Sequence, residues 1–349
     1  MQKVKRLSQN QIFWPLVVFV SILLLNGIAT KGAFFEFKIV DGHLYGRIID
    51  IIRNGGKLMI LAIGMTMALA TGGTDISVGS VMAISGAVAC SIVDGRIFPG
   101  LGGNAGVAIM MALLAGLACG AWNGFLVAKV KMQPIVATMI LLVAGRGIAQ
   151  LITQGKIVTI GINPAINPIN PSIYYFINGG YILGLPFPLM IVIFFFLLAL
   201  LFTKRTAFGL FVESIGVNSA ASSFTGINVD LVKLLIYTFS GFMASVAGLI
   251  ESAGIKAADC NNAGLLIELD AILAVAVGGG SLAGGRFSIA SSIVGALIIQ
   301  SVTTSLLAMG VVPQAALVAK SLVVIAICLA QSKSFKEAIS SRFRKGAQA

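Results

Sequence analysis

The amino-acid sequence predicts an all-α polytopic membrane protein of about ten transmembrane helices, on three observations. Only 10% of its 349 residues are charged and 58% are hydrophobic, with a mean hydropathy of +1.00; an ordinary soluble domain carries about 25% charge. The uncharged runs 98–128, 157–203 and 287–319 are too long for core helices and suit spans of about 20 residues each. The 41 glycines suit helices that approach one another through small residues. The net charge of +12 sits largely on basic residues flanking the apolar runs, so it is topological and no argument for nucleic acid.

The spans follow in order. The first apolar run, 11–30, comes after Lys3, Lys5 and Arg6. It is too long for a signal-peptide core and lacks an obvious cleavage site, so it is read as a span. Further spans are expected at 57–73, 78–93, 105–127, 134–153, 187–203, 231–251, 269–284, 287–308 and 314–331. With both termini in the cytoplasm, fourteen basic residues fall inside and eight outside, as the positive-inside rule requires. Arg53 and Lys57 fit this arrangement least well. External loops are expected at 31–56, 154–186 and 252–268, the second broken by Asn163-Pro164, Asn167-Pro168 and Asn170-Pro171. No linker or soluble domain is visible, so residues 1–349 read as one membrane domain.

Three short stretches interrupt this pattern. Residues 72–79 (GGTDISVG) and 278–285 (GGGSLAGG) each put a Gly-rich break beside a short span. Paired breaks in the two halves of a transporter point to its binding or gating region; they are equally compatible with ordinary interhelical loops. The third, 213–228, is polar and Gly-punctuated, with Lys204 and Arg205 before it and Asp230 and Lys233 after it. A segment of this kind reads as a cytoplasmic handle for a soluble partner.

Polar side chains near the spans are few, and burying them in lipid is costly. Asp75, flanked by Thr74 and Ser77, is the sharpest case, although an acid there also suits a helix N-cap. Arg146 lies within a span and needs a partner, an aqueous cavity or a route to the interface. Asn123 follows an interfacial Trp122. Glu268 and Asp270 suit the positive end of a helix dipole. No catalytic constellation or metal-ligand spacing stands out: His43 is alone, and Cys90, Cys119, Cys260 and Cys328 are scattered. The run 280–285 is glycine-rich, but Arg286 and Phe287 stand where a phosphate loop needs Lys and Ser or Thr, so the chain shows no means of hydrolysing ATP.

Several stretches together resemble one family. They are AIGMT at 62–66, TGGTDISVG at 71–79, GAWNG at 120–124, QPIVAT at 133–138, GRG at 145–147, the segment 213–228, and ELDAI at 268–272 running into 278–285. The chain resembles the permease subunit of sugar ABC importers of the ribose/galactose/galactofuranose type. The stretches at 41–45, 150–159 and 259–264 are most similar to the galactofuranose type. The resemblance implies a fold similar to that of the vitamin-B12-type importer permease, in the bacterial inner membrane, importing a monosaccharide by alternating access. It implies a separate ATP-binding cassette ATPase, which uses ATP and Mg while this chain binds no cofactor. It also implies an extracytoplasmic sugar-binding protein and a second permease subunit, a heterodimer being favoured.

The coupling segment, about 206–229, would dock on that ATPase through Glu213, Gly216, Asn218, Ala220, Ala221 and Gly226. Ser219 and 222–224 are less charged than the family pattern there. Asp75, Ser77, Asn123, Arg146, Gly279 and Ser281 are the candidates for the translocation path or its gate. A branched-chain amino acid permease and a stand-alone secondary sugar carrier are the alternatives. A membrane glycosyltransferase would want an interfacial cluster of acids or histidines, and none is seen.

Overall fold

A computed structural model describes residues 12–30, 32–40, 42–97, 103–161 and 172–331. Among these residues there are thirteen α-helices. In chain order they are α1 (Phe13–Ala29), α2 (Arg47–Ala70), α3 (Val78–Val93), α4 (Ala105–Ala128), α5 (Pro134–Thr153), α6 (Ser172–Gly179) and α7 (Phe187–Arg205). Then come α8 (Phe208–Val217), α9 (Ser219–Phe224), α10 (Val229–Ile255), α11 (Ile267–Val277), α12 (Ile289–Ala308) and α13 (Pro313–Gln331). The protein is all-α and polytopic: α4, α5, α7, α10 and α12 are each long and apolar enough to cross a membrane. The strands are two or three residues long and form antiparallel pairs in the connections.

Local chemistry sets the helix starts. Asn104, Asn228 and Ser288 each accept a backbone N–H of the first turn, at the heads of α4, α10 and α12. Pro134 opens α5, where its missing N–H is no loss.

The bundle is built around α10, which packs against α2, α3 and α4. The crossing with α4 is carried by glycines spaced four apart. A methyl group on Gly120 would lie 2.5 Å from the Tyr237 carbonyl oxygen, and one on Gly116 would lie 2.4 Å from Ser245 Cβ. Opposite them, a methyl on Gly241 would lie 2.5 Å from the Gly116 carbonyl oxygen. The two backbones touch because no side chain separates them, which is how helices gain contact when lipid supplies no hydrophobic drive.

Two expected boundaries move. The second span begins at Arg47 rather than at 57, so Arg47 and Arg53, expected in the external loop 31–56, belong to α2 together with Lys57. Its first half alternates Ile48, Ile49, Ile51 and Ile52 with Asp50, Arg53, Asn54 and Lys57. The helix has one polar face, which lines cavities between the helices, and a hydropathy average hides that arrangement. The eighth span is α11, only 11 residues long, and it stops at Val277 instead of reaching 284. At 1.5 Å per residue it covers about 16 Å, half a bilayer core. Gly279, at φ +81°, turns the chain out of the helix, and Gly280 N–H bonds back to the Val275 carbonyl at 2.9 Å.

The expected external loop at 252–268 is also different. Residues 252–255 complete α10, and 257–258 pair with 158–159. The chain then turns back into the bundle, so that a methyl on Gly79 would lie 2.4 Å from the Gly264 carbonyl oxygen. The three Asn-Pro pairs expected to break the loop at 154–186 lie outside the described residues, apart from their neighbours.

Gly120→Leu should force α4 and α10 apart and lower stability by about 1–3 kcal/mol. Gly106→Ala, which meets only Asn104 Oδ1 at 3.4 Å, should be close to neutral. Thermal unfolding of the two variants in detergent, followed by size-exclusion fluorescence, gives the comparison.

Candidate functional site

The first break, between α2 and α3, is organised by Asp75, which is 1% exposed. Its Oδ1 accepts from the Ser77 N–H at 3.0 Å and the Ser77 hydroxyl at 2.7 Å. Its Oδ2 accepts from the Ser240 hydroxyl of α10 at 2.7 Å. Asn123 of α4 donates its Nδ2 to Ser77 Oγ at 2.7 Å. Thr138 of α5 accepts the Ile76 N–H at 3.3 Å. One carboxylate therefore ties the break to α10 directly, and to α4 through Ser77.

Asp75 is not the N-cap of α3, a position held by Ser77, which makes no side-chain capping bond of its own. The structure brings Asp75, Ser77 and Asn123 together in the interior, away from lipid. Tyr237 Oη lies against the same break, where a methyl on Gly73 would meet it at 2.4 Å.

The second break, 278–288, meets the first at the segment expected to couple. Gly285 N–H donates to the Ala70 carbonyl at 2.9 Å. A methyl on Gly216 would lie 1.8 Å from that same carbonyl oxygen and 2.4 Å from Gly285 N. One on Gly284 would lie 2.8 Å from the Gly216 carbonyl oxygen and 3.0 Å from Gly72 N. The end of α2, the end of α8 and the Gly-rich loop thus touch backbone to backbone. Gly279 and Ser281 belong to this loop, and the exposed Ser281 Oγ accepts the Ala283 N–H at 3.2 Å.

The coupling segment itself is a helical corner. Asn218 ends α8 and caps α9, its Oδ1 accepting the Ala221 N–H at 2.9 Å. Gly226, at φ +87° with nothing near its α-carbon, is required by backbone conformation rather than space. Ala220 and Ala221 are exposed and Glu213 is half-buried. Phe224 is 93% exposed and Val217 78%. The segment shows an apolar outer face, which offsets its scarcity of charge.

Arg146 stands apart from both breaks. Its Nη1 donates to the carbonyls of Cys260, Asn261 and Ala263 at 3.0, 3.3 and 2.9 Å. Gln150, one turn on, donates to Asn261 Oδ1 at 2.7 Å. The intramembrane arginine satisfies the irregular 259–266 backbone that α10 and α11 leave between them. Glu268 is buried beside Gly79, whereas Asp270 reaches Lys320 of α13 at 2.8 Å.

Sequence reasoning missed Ser240, Thr138 and the ion pair of Lys57 with Glu251, 3.1 Å apart. Ser240 was signalled only as a hydroxyl within an apolar run, which many spans carry. Among the described residues no group of three His, Cys, Asp or Glu side chains could hold a metal ion.

Asp75→Ala should cost about 1–3 kcal/mol, because Ser240, Ser77 and the Ser77 N–H lose a shared acceptor. Asp75→Asn should cost less, since the Ser240 hydroxyl can turn to accept. Equal losses in thermal unfolding would contradict the geometry. Arg146→Ala should leave three carbonyls without a donor and raise hydrogen exchange in 259–266 well above its rise elsewhere, which mass spectrometry of the detergent-solubilised chain can localise.

Comparison with known proteins agrees in one direction. The family described as branched-chain amino acid transport system / permease component matches residues 47–330. The chain is 44% identical to the galactofuranose transporter permease protein of Escherichia coli, over 92% of this chain and 91% of that one. It is 35% identical to the fructose import permease protein of Bifidobacterium longum, over 99% and 94% of the two chains. It is also 35% identical to the ribose import permease protein of Haemophilus influenzae, over 93% and 94%. No solved structure matches the chain.

Proposed function

This chain belongs to the family of branched-chain-amino-acid-type transport permease components, and from that membership we propose that it is the membrane subunit of an ATP-driven importer of a monosaccharide. The matched relatives, which span almost all of this chain, are permeases for galactofuranose, fructose and ribose, and they favour a sugar over an amino acid. The galactofuranose type is the preferred assignment. The partners are an ATP-binding cassette ATPase, a sugar-binding protein outside the membrane and a second permease subunit, a different one being favoured.

The observation that carries the mechanism is the contact of Gly216 with Ala70 and Gly285. A soluble ATPase that grips α8 and α9 would push on the ends of both broken segments at once. Because these contacts are backbone against backbone, no flexible side chain absorbs the displacement. Movement of α8 is therefore passed to α2, to the 278–288 loop and, through the loop, to α11 and α12. The Asp75 cluster lies just beyond this contact and ties α2 and α3 to α10, so the same movement bears on the core of the bundle. ATP hydrolysis belongs to the partner, and this chain supplies the handle and the moving helices.

The docking face is tested by Ala220→Arg and Ala221→Arg. Both positions are exposed, so the chain should fold normally with either variant. In proteoliposomes containing the ATPase, the second permease and the binding protein, uptake of the transported sugar should fall at least about tenfold. That corresponds to the 1–2 kcal/mol or more lost when a bulky charge is driven into an apolar interface. Full uptake by both variants would refute the docking assignment.

A further inference from the structure

The geometry points to a sugar-holding subsite in a charged cavity at the end of the bundle opposite the coupling segment; this deepens the sugar-importer reading and rests on it. The cavity has a volume of about 650 Å³, within the range of small-molecule sites, about 300–1,000 Å³. Its lining includes Asn54 and Lys57 of α2, Glu251 of α10, Asn262 of the inturned loop, Asp270 of α11 and Lys320 of α13. Gln300 and Thr304 of α12 complete one wall.

The position follows from chain direction. α2 ends, and α10 and α12 begin, near the coupling segment, whereas the cavity takes the start of α2 and the late turns of α10 and α12. From Val229 to Glu251 the rise of α10 is about 33 Å, close to the thickness of a bilayer core. A sugar arriving from the face opposite the ATPase meets this cavity first.

Three features suit a polyol. First, the walls alternate amides, hydroxyls and carboxylates, which both donate to and accept from sugar hydroxyls. Second, the carboxylates have lysine partners within the cavity: Lys57 bonds Glu251 at 3.1 Å, and Lys320 bonds both oxygens of Asp270 at 2.8 Å. Glu251 Oε2 is buried and has no hydrogen-bond partner among the described residues. Third, the irregular 259–266 backbone forms part of the lining, and non-helical backbone at membrane depth is tolerated where it is enclosed in protein or faces an aqueous cavity. With most charges already paired, the site holds a neutral sugar loosely and releases it inward.

The test uses the complete transporter in proteoliposomes with D-ribose, D-xylose, D-fructose and D-galactose as probes. Thr304→Cys is labelled with a membrane-impermeant cationic thiol reagent, with the wild-type chain as background. The transported sugar should slow labelling about threefold at a concentration twice its dissociation constant, following simple occupancy. Mannitol should leave the rate unchanged. Asp270→Asn should lower uptake about tenfold, and exchanging the pair, Asp270→Lys with Lys320→Asp, should not restore it. Labelling indifferent to every transported sugar, or uptake restored by the exchanged pair, overturns the subsite and leaves the importer reading standing. If the exchanged pair fails to assemble, labelling alone decides. If the wild-type complex moves no sugar, the importer reading falls and this subsite falls with it.

Discussion

A backbone that leaves the helix inside an apolar bundle must find its hydrogen bonds within the protein, because lipid offers none. Among the described residues, the non-helical stretches 71–77, 259–266 and 278–288 turn in against the bundle, and each is answered by a specific partner. Asp75 and Thr138 hold the first, and Arg146 holds the second with three donated bonds. The third is held by the Ala70 carbonyl, which accepts from Gly285. The few polar side chains of the spans are therefore concentrated where the backbone needs them.

Glycine serves the same requirement from the other side. Removing the side chain lets α4 and α10 cross with their backbones in contact, and lets α8 seat against the ends of two broken segments. Bundles held by such contacts are stiff across the crossing, since no rotamer can give way. Stiffness is what a lever needs. At the 208–224 corner the same backbone contacts join α8 to the end of α2 and to the 278–288 loop.

Charge is distributed by the same logic. Lys57 with Glu251 and Lys320 with Asp270 lie at one end of the bundle, paired and facing a shared aqueous space. Pairing lowers the cost of placing these ions at membrane depth. The opposite end presents Phe224 and Val217 outward, an exposed apolar face. The two ends of the molecule are thus chemically distinct.

The sequence by itself determined the helical class, the approximate place of the spans and the presence of a polar, Gly-punctuated stretch at 213–228. Hydropathy runs, Gly-rich interruptions and Asn or Ser caps are local features, read over a few neighbouring residues. It also singled out Asp75, Ser77, Asn123 and Arg146, because a polar group within an apolar run is visible without coordinates. What each one touches was decided only by tertiary structure. Asp75 finds Ser240 across 165 positions, and Arg146 finds Cys260 across 114. The early start of α2 was hidden because a hydropathy average counts charge and ignores the direction it faces, and the early stop of α11 because the uncharged 278–284 run hides the turn at Gly279. That the two Gly-rich breaks meet at Gly216 depends on how three helix ends pack. Packing of that kind is set by the absence of side chains at distant positions, and no local window of the sequence contains it.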